Sequence, residues 1–104
     1  MKTIDVAKQF SPTPFGRYAS DGNFSAEKFR DEILKPQLLN CNDDITVDFS
    51  KVALGVGSSF LEEVFGGLVR QGIDKRKLLT HIIVKDKFNL YQDQVNHFIK
   101  VANN

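Results

Sequence analysis

Two adjacent serines, Ser58 and Ser59, are the residues of this sequence best placed to carry chemistry. They follow a glycine-containing stretch at residues 55–57 and open a run with helical periodicity. The beginning of a helix offers unpaired N–H groups and a partial positive charge, so a phosphate on either hydroxyl would be favoured there. Ser59 and Glu62 also match the capping-box pattern, which predicts an ordinary helix cap. Capping and a role in phosphorylation or partner contact are both open interpretations.

A second candidate is a polar cluster of Arg17, Asp21 and Arg30. A guanidinium can hold a carboxylate or another anion with two parallel hydrogen bonds, so the cluster could bind an anion or a carboxylate of a partner. A structural ion pair is the favoured interpretation. Asp48 is expected on the strand face opposite Ile45, where it either faces solvent or projects towards a site.

The remaining reactive residue types give no recognisable site. His81 and His97 are far apart in sequence and have no second ligand at zinc-site spacing, and Cys41 is expected to be an inert loop thiol. The glycines at residues 55–57 lack the rest of a nucleotide-binding motif. We therefore expect no catalytic residue, metal or cofactor. The alternative is a small hydrolase-like enzyme in which Ser58 or Ser59 meets a histidine or aspartate in space.

Composition excludes several classes of protein. The chain has 104 residues, and its 14 Lys and Arg against 13 Asp and Glu give a net charge of +1, without the excess that nucleic-acid binding requires. No apolar run is long enough for a membrane span or a signal peptide. A single cysteine excludes an intrachain disulfide and fits a cytoplasmic location. The length predicts one domain, residues 1–104.

The N-terminal half alternates between strand and helix patterns. We predict a strand over residues 3–10, ended by Pro12 and Pro14, and a second short strand over residues 15–18. Ser25 is a candidate cap for a helix over residues 26–35, which Pro36 should end or kink. Residues 45–49 form the clearest strand.

The C-terminal half continues the alternation. We predict a helix from Ser59 to a stop at Gly72, a short helix over residues 74–79 opened by Asp74, a buried strand over residues 81–85 and a helix over residues 90–102. The glycine pair at residues 66–67 weakens the first of these helices, which predicts a close approach by another backbone element. The order predicts an α/β fold, with a mixed sheet of about four strands that contains parallel pairs and has helices packed against it.

Several segments resemble one family. The stretches 17–30, 47–52 and 55–68, within residues 3–72, are similar to the STAS-like domain family of unknown function, which is related to the STAS domains of sulfate transporters and anti-sigma factor antagonists. The resemblance implies a bacterial, non-enzymatic regulatory module whose protein partner is a histidine-kinase-like ATPase. It also implies partner contact or phosphorylation at Ser58 or Ser59. Gly57 stands where the antagonists usually carry an acidic residue. An autonomous inhibitor or antitoxin with the same fold is a further alternative.

Overall fold

Three parallel strands form the sheet in the computed structural model, which describes residues 2–40, 43–53 and 55–103. They are β1 (Lys2–Asp5), β2 (Ile45–Asp48) and β3 (Ile82–Lys85), hydrogen-bonded in the order β1-β2-β3. Both pairs are parallel, with Ile4 opposite Val47 and Val47 opposite Val84. The prediction of an α/β fold with parallel pairs is confirmed, but the described residues contain a three-stranded parallel sheet instead of a mixed sheet of about four strands.

Helices join and follow the strands. The short helix α1 spans Val6–Gln9, and a 3₁₀ turn spans Ala19–Asp21. The helical segment α2 is continuous over residues 26–39 and consists of Ala26–Lys28, a π-helical stretch Phe29–Leu34, and Lys35–Leu39. The segment α3 over residues 58–70 consists of Ser58–Leu61, a π-helical stretch Glu62–Gly66, and Gly67–Arg70. Helices α4 (Lys75–His81) and α5 (Tyr91–Val101) complete the fold.

The first predicted strand is only half right. Strand β1 ends at Asp5, whose carboxylate accepts a hydrogen bond from the N–H of Lys8 and thereby caps α1. The alternation of apolar residues at Ile4 and Val6 predicted that the strand continues. Both side chains are indeed fully buried. A helical turn after Asp5 buries Val6 equally well, and the alternating pattern does not distinguish the two arrangements.

Residues 15–18, the predicted second strand, form none in the structure. The N–H of Phe15 donates to the carbonyl of Phe24, and the carbonyls of Gly16 and Arg17 accept from the N–H groups of Ala26 and Glu27, but these contacts do not form a strand ladder. The N–H groups of Arg17 and Tyr18 donate to the carboxylate of Asp21 at 3.2 and 2.9 Å. The side chain of Asp21 therefore occupies the N–H groups that a ladder would need.

Pro36 does not end the preceding helix, which was one of the two outcomes predicted for it. It lies in the first turn of the stretch Lys35–Leu39, directly after the π-helical turn. The N–H of Lys35 donates to the carbonyl of Arg30, five residues earlier, so the α-helical hydrogen-bond pattern is already interrupted where Pro36 lacks its N–H. The other end of α2 is as predicted, because the hydroxyl of Ser25 accepts from the N–H of Lys28 at 3.3 Å.

The remaining helix boundaries mostly agree with the sequence. After α3, the chain turns at Gly72, whose φ of +97° is accessible chiefly to glycine. Asp74 caps α4 through the N–H of Arg76. Helix α4 extends to His81, so β3 begins at Ile82, one residue later than predicted.

The helices pack against the face of the sheet that carries the apolar row Ile4, Val47 and Val84, all of which are buried. Segment α2 contacts α3, and α3 contacts α5, so α3 lies between its two neighbours. Buried phenylalanines from the strands and helices meet there, as the ring contacts of Phe29 with Phe49 and Phe60 show. This core fixes the position of the loop between β2 and α3.

Candidate interaction site at the carboxyl edge of the sheet

The connection from β2 to α3 lies at the carboxyl edge of the sheet, where crevices of parallel α/β proteins form. Hydrogen bonds to several parts of the chain hold its described part in place. The N–H of Ser50 donates to Asp48 at 2.8 Å, that of Ala53 donates to the carbonyl of Pro12 at 2.8 Å, and that of Val56 donates to the hydroxyl of Tyr91 at 3.0 Å. The loop is thus tied to both the N-terminal segment and helix α5.

Ser58 and Ser59 are both exposed in the first turn of α3. The helix begins one residue earlier than predicted, and its N-cap is Gly57, which has no side chain to donate or accept. Within the described residues, neither serine hydroxyl makes a hydrogen bond, and Glu62 binds arginines instead of closing a capping box. The prediction that Ser59 caps the helix is wrong, because the capping position falls on Gly57.

Two grooves open on either side of Gly55. The first has a volume of about 350 Å³ and lies between the loop and the segment that leads into α5. The second, of about 380 Å³, lies between the loop and the N-terminal segment, with Ser59 in its wall. The first groove is flanked by Phe88, which is 77% exposed, and the second by Phe15, which is 75% exposed. Exposed aromatic side chains beside grooves are typical of protein-binding surfaces.

The predicted polar cluster is an ion-pair network, but its acidic members differ from the prediction. The guanidinium of Arg17 lies 2.7 Å from Glu62 and 3.2 Å from Glu63, and that of Arg30 lies 2.5 Å from Glu63. Asp21 binds backbone N–H groups and neither guanidinium. The favoured interpretation of Arg17 and Arg30 as structural is supported, because both already have carboxylate partners.

Arg30 is the centre of this network and is only 6% exposed. Its guanidinium also binds Asp31 at 2.8 Å and donates to the main-chain carbonyl of Glu63 at 3.1 Å. A Cβ atom on Gly67 would collide with the Nη1 atom of Arg30. The second glycine of the pair at residues 66–67 therefore accommodates a buried arginine side chain, and not another backbone element as we predicted.

The arginines of this network lower the pKa of two carboxyl groups, those of Glu62 and Asp31. Hydrogen bonds from Arg70, at 2.5 Å, and Arg17 hold the pKa of Glu62 below its ordinary value, against the opposing effect of burial. The hydrogen bond from Arg30 does the same for the pKa of Asp31. Both carboxylates are thus stabilised in the charged form.

Asp48, at the end of β2, is also held in its charged form. Burial alone would raise its pKa, but hydrogen bonds from the hydroxyl and the N–H of Ser50 outweigh that effect, and the pKa of Asp48 is lowered. Its carboxylate therefore orders the start of the loop.

The structure does not bring a histidine to the serines. His81 precedes β3 and lies at the amino edge of the sheet, where its Nδ1 is 2.9 Å from Asp44. The ring of His97 is exposed on α5 beside that of Phe98. Among the described contacts, neither imidazole is hydrogen-bonded to Ser58 or Ser59. Cys41 lies outside the described residues.

No group of three or more His, Cys, Asp and Glu side chains in the described part of the chain is arranged to hold a metal ion. Among the described helices, none has the length and apolarity required to cross a membrane.

A family model described as a STAS-like domain of unknown function matches residues 25–87. The chain belongs to this STAS-like family. The match begins at the Ser25 cap of α2 and continues beyond β3, so it includes the β2–α3 loop, both serines and the Arg30–Glu63 pair. Comparisons with curated proteins and with solved structures gave no match.

Sequence reasoning missed some residues that shape the site of this STAS-like chain. Tyr91 and Phe88 form one side of the first groove, whereas the sequence pattern predicts only that Tyr91 belongs to the helix over residues 90–102 and makes no prediction for Phe88. Glu63 of α3 is only 8% exposed, although a charged residue in a helix ordinarily faces solvent. It lies in the π-helical stretch Glu62–Gly66, where regular α-helical periodicity does not apply, so the sequence pattern gives no signal for this burial.

Proposed function

We propose that this STAS-like chain is a non-enzymatic regulatory module that docks a protein partner at the carboxyl edge of its sheet. One observation carries the proposal: two exposed serines, whose hydroxyls have no structural partner among the described residues, begin a helix beside two grooves flanked by exposed aromatic rings. A surface of this kind suits recognition of a protein better than chemistry on a small substrate.

The regulatory part of the proposal concerns phosphorylation. Because neither serine supports the helix with its hydroxyl, a phosphate could be added without loss of a structural hydrogen bond. The added charge would lie beside the first-turn N–H groups and would also change the surface that a partner contacts. By resemblance to anti-sigma factor antagonists, the partner we propose is a histidine-kinase-like ATPase that both binds and phosphorylates this surface.

Affinity capture from an extract of the source cells tests this function. The wild-type chain should retain a protein with a histidine-kinase-like ATPase domain, identified by mass spectrometry. The double variant Ser58→Glu/Ser59→Glu should retain about tenfold less, because it places two negative charges at the contact. In the presence of ATP, the captured kinase should phosphorylate Ser58 or Ser59.

Thr80→Glu is the matched control, since it adds a negative charge to an exposed position of α4, near the amino edge of the sheet. It should retain the partner as well as the wild type does. Equal capture by the wild type and the serine double variant would contradict the proposed surface.

A further inference from the structure

We propose that the two grooves together bind one extended segment of the partner, which carries a bulky apolar side chain for each groove and an acidic side chain that faces Lys87. This inference rests on the proposed function and specifies the chemistry of the partner. It follows from the arrangement of the grooves, from the charges around them and from the segments that form their walls.

The two grooves are arranged for consecutive anchors of a single segment. Gly55 lines both, so a chain that crosses this loop would reach one groove on each side. Their volumes of about 350 and 380 Å³ are each sufficient for one large side chain and lie at the small end of the range for ligand sites. The neighbouring Phe15 and Phe88 would lose most of their exposed apolar area on binding, which favours association.

Lys87 supplies the charge at the first groove that lacks a partner among the described residues. Asp86 and Lys87 are the charged side chains described in the lining of this groove. Both carboxylate oxygens of Asp86 already accept backbone N–H groups, those of Phe88, Leu90 and Tyr91, at 2.9 to 3.2 Å. The exposed ammonium of Lys87 makes no hydrogen bond or ion pair within the described residues. Complementarity at this position therefore calls for an acidic side chain.

Two other lysines near this edge, Lys51 and Lys85, each lie close to a carboxylate. The ammonium of Lys51 lies 3.2 Å from the carboxylate of Asp5. Lys85 is opposite Asp48 in the sheet and contributes to the lowered pKa of that carboxyl group. Among the described residues that line the second groove, none carries a charge. Of the charged residues described in the walls of the two grooves, Lys87 is therefore the one that can select a partner by charge.

One wall of each groove lies outside the part of the chain that the family model matches. Residues 14–16 form that wall in the second groove, and Phe88, Leu90 and Tyr91 form it in the first, whereas the match covers residues 25–87. The β2–α3 loop, through Gly55, lines both grooves. The walls, and with them the choice of anchors, therefore belong to the flanking segments of this particular chain.

Ser59 links this arrangement to the proposed phosphorylation. It lines the second groove, so a phosphate there would both narrow the groove and repel an acidic segment. Phosphorylation of Ser59 should therefore weaken the binding of a segment that occupies both grooves, even though Lys87 lies in the first groove and Ser59 in the second.

Selection of peptides from a random phage-displayed library on the full chain tests this inference. The enriched sequences should contain two large apolar residues and at least one Asp or Glu. A synthetic copy should perturb the backbone amide signals of residues 52–57 and 88–91 in an NMR titration. The dissociation constant of the peptide should be about tenfold higher, or more, for the variants Lys87→Glu and Phe88→Ser than for the wild-type chain. Replacing the acidic residue of the peptide by Lys should restore binding to the Lys87→Glu variant.

Two matched controls lie away from the grooves. Arg76→Glu reverses an exposed charge on α4, and Leu39→Ser removes an exposed apolar side chain at the end of α2. Both should change the dissociation constant less than about twofold. The inference is overturned if no peptide is enriched, if the enriched peptides lack acidic residues, or if Lys87→Glu and Phe88→Ser leave binding unchanged. The proposed function would then still be decided separately, by whether the serine double variant loses the cellular partner.

Discussion

The Arg30–Glu63 pair is the most buried ionic contact described in the protein, with residue exposures of 6% and 8%. Taking two charges out of water is costly, and their attraction offsets that cost only when their remaining hydrogen-bonding groups are satisfied. Arg30 meets this condition through Asp31 and the carbonyl of Glu63, and Glu63 also binds Arg17. The buried charges are therefore tolerated because the network around them is complete.

Removing one member of that pair should destabilise the fold strongly. Glu63→Ala leaves the buried guanidinium of Arg30 with Asp31 as its remaining carboxylate partner, so we expect the free energy of unfolding to fall by about 3 kcal/mol in urea denaturation. The control Glu32→Ala removes a glutamate side chain that is exposed on α2, and it should change the free energy of unfolding by less than about 0.5 kcal/mol. A loss below about 1 kcal/mol for Glu63→Ala would show that the pair is not a main support of the fold.

Helical segments α2 and α3 each contain a π-helical stretch, and these stretches contact one another. Arg30 lies in one and Glu63 in the other, so the network joins the two elements at the place where both depart from α-helical geometry. A π-helical turn inserts a residue and shifts the face that follows it. Within this stretch, Glu63 is buried together with its neighbours Val64 and Phe65.

The close approach of Arg30 to α3 predicts an unusual response at Gly67. Replacing a helical glycine by alanine ordinarily stabilises a helix by about 1 kcal/mol. Here Gly67→Ala should lower the free energy of unfolding, since its Cβ would displace a guanidinium that Glu63 and Asp31 hold in place.

The same substitution in an Arg30→Met background provides the control for that effect, because the guanidinium is then absent. In this background, Gly67→Ala should be stabilising, and the comparison of the two ΔΔG values by urea denaturation isolates the steric effect. If Gly67→Ala has the same sign in both backgrounds, the contact with Arg30 does not explain the glycine.

The stability of the whole molecule should depend on pH in the acidic range. The pKa values of Asp31, Asp48 and Glu62 are all lower in the folded protein than their ordinary values. Groups of this kind contribute stability that is complete above the unfolded-state pKa and is lost as pH falls through the folded-state pKa. We therefore expect the urea midpoint to be constant from about pH 7 to 5 and to fall progressively below about pH 4.

Glu62→Gln tests the cause of that fall, because it removes one of the three titrating groups without a large change of shape. The variant should be less stable than the wild type near neutral pH, and the difference should narrow as the medium becomes acidic. A constant difference between the two proteins across this range would contradict the assigned role of Glu62.

Much of the architecture could be predicted from the sequence because it depends on local patterns. The strands at residues 45–49 and 81–85, the helix over residues 90–102 and the stop at Gly72 follow from alternation, helical periodicity and the angles accessible to glycine. The alternation of strands and helices also predicted parallel pairing. The family was indicated by the residues around the β2–α3 loop, and the family model confirms it.

Other features depend on contacts between residues distant in sequence. Asp21 was predicted to belong with Arg17 and Arg30, but it binds the nearby backbone, and the arginines reach Glu62 and Glu63 on α3. The grooves likewise exist because Pro12 and Tyr91, from opposite ends of the chain, hold the loop.

Ser58 and Ser59 show both kinds of determinant, the local sequence pattern and the tertiary contacts. Their sequence position predicted correctly that they begin a helix, because the change of periodicity is a local signal. The tertiary structure decided that Gly57 takes the capping position, so both hydroxyls are left exposed. It also decided what surrounds them, since a groove requires walls from segments that only folding brings together.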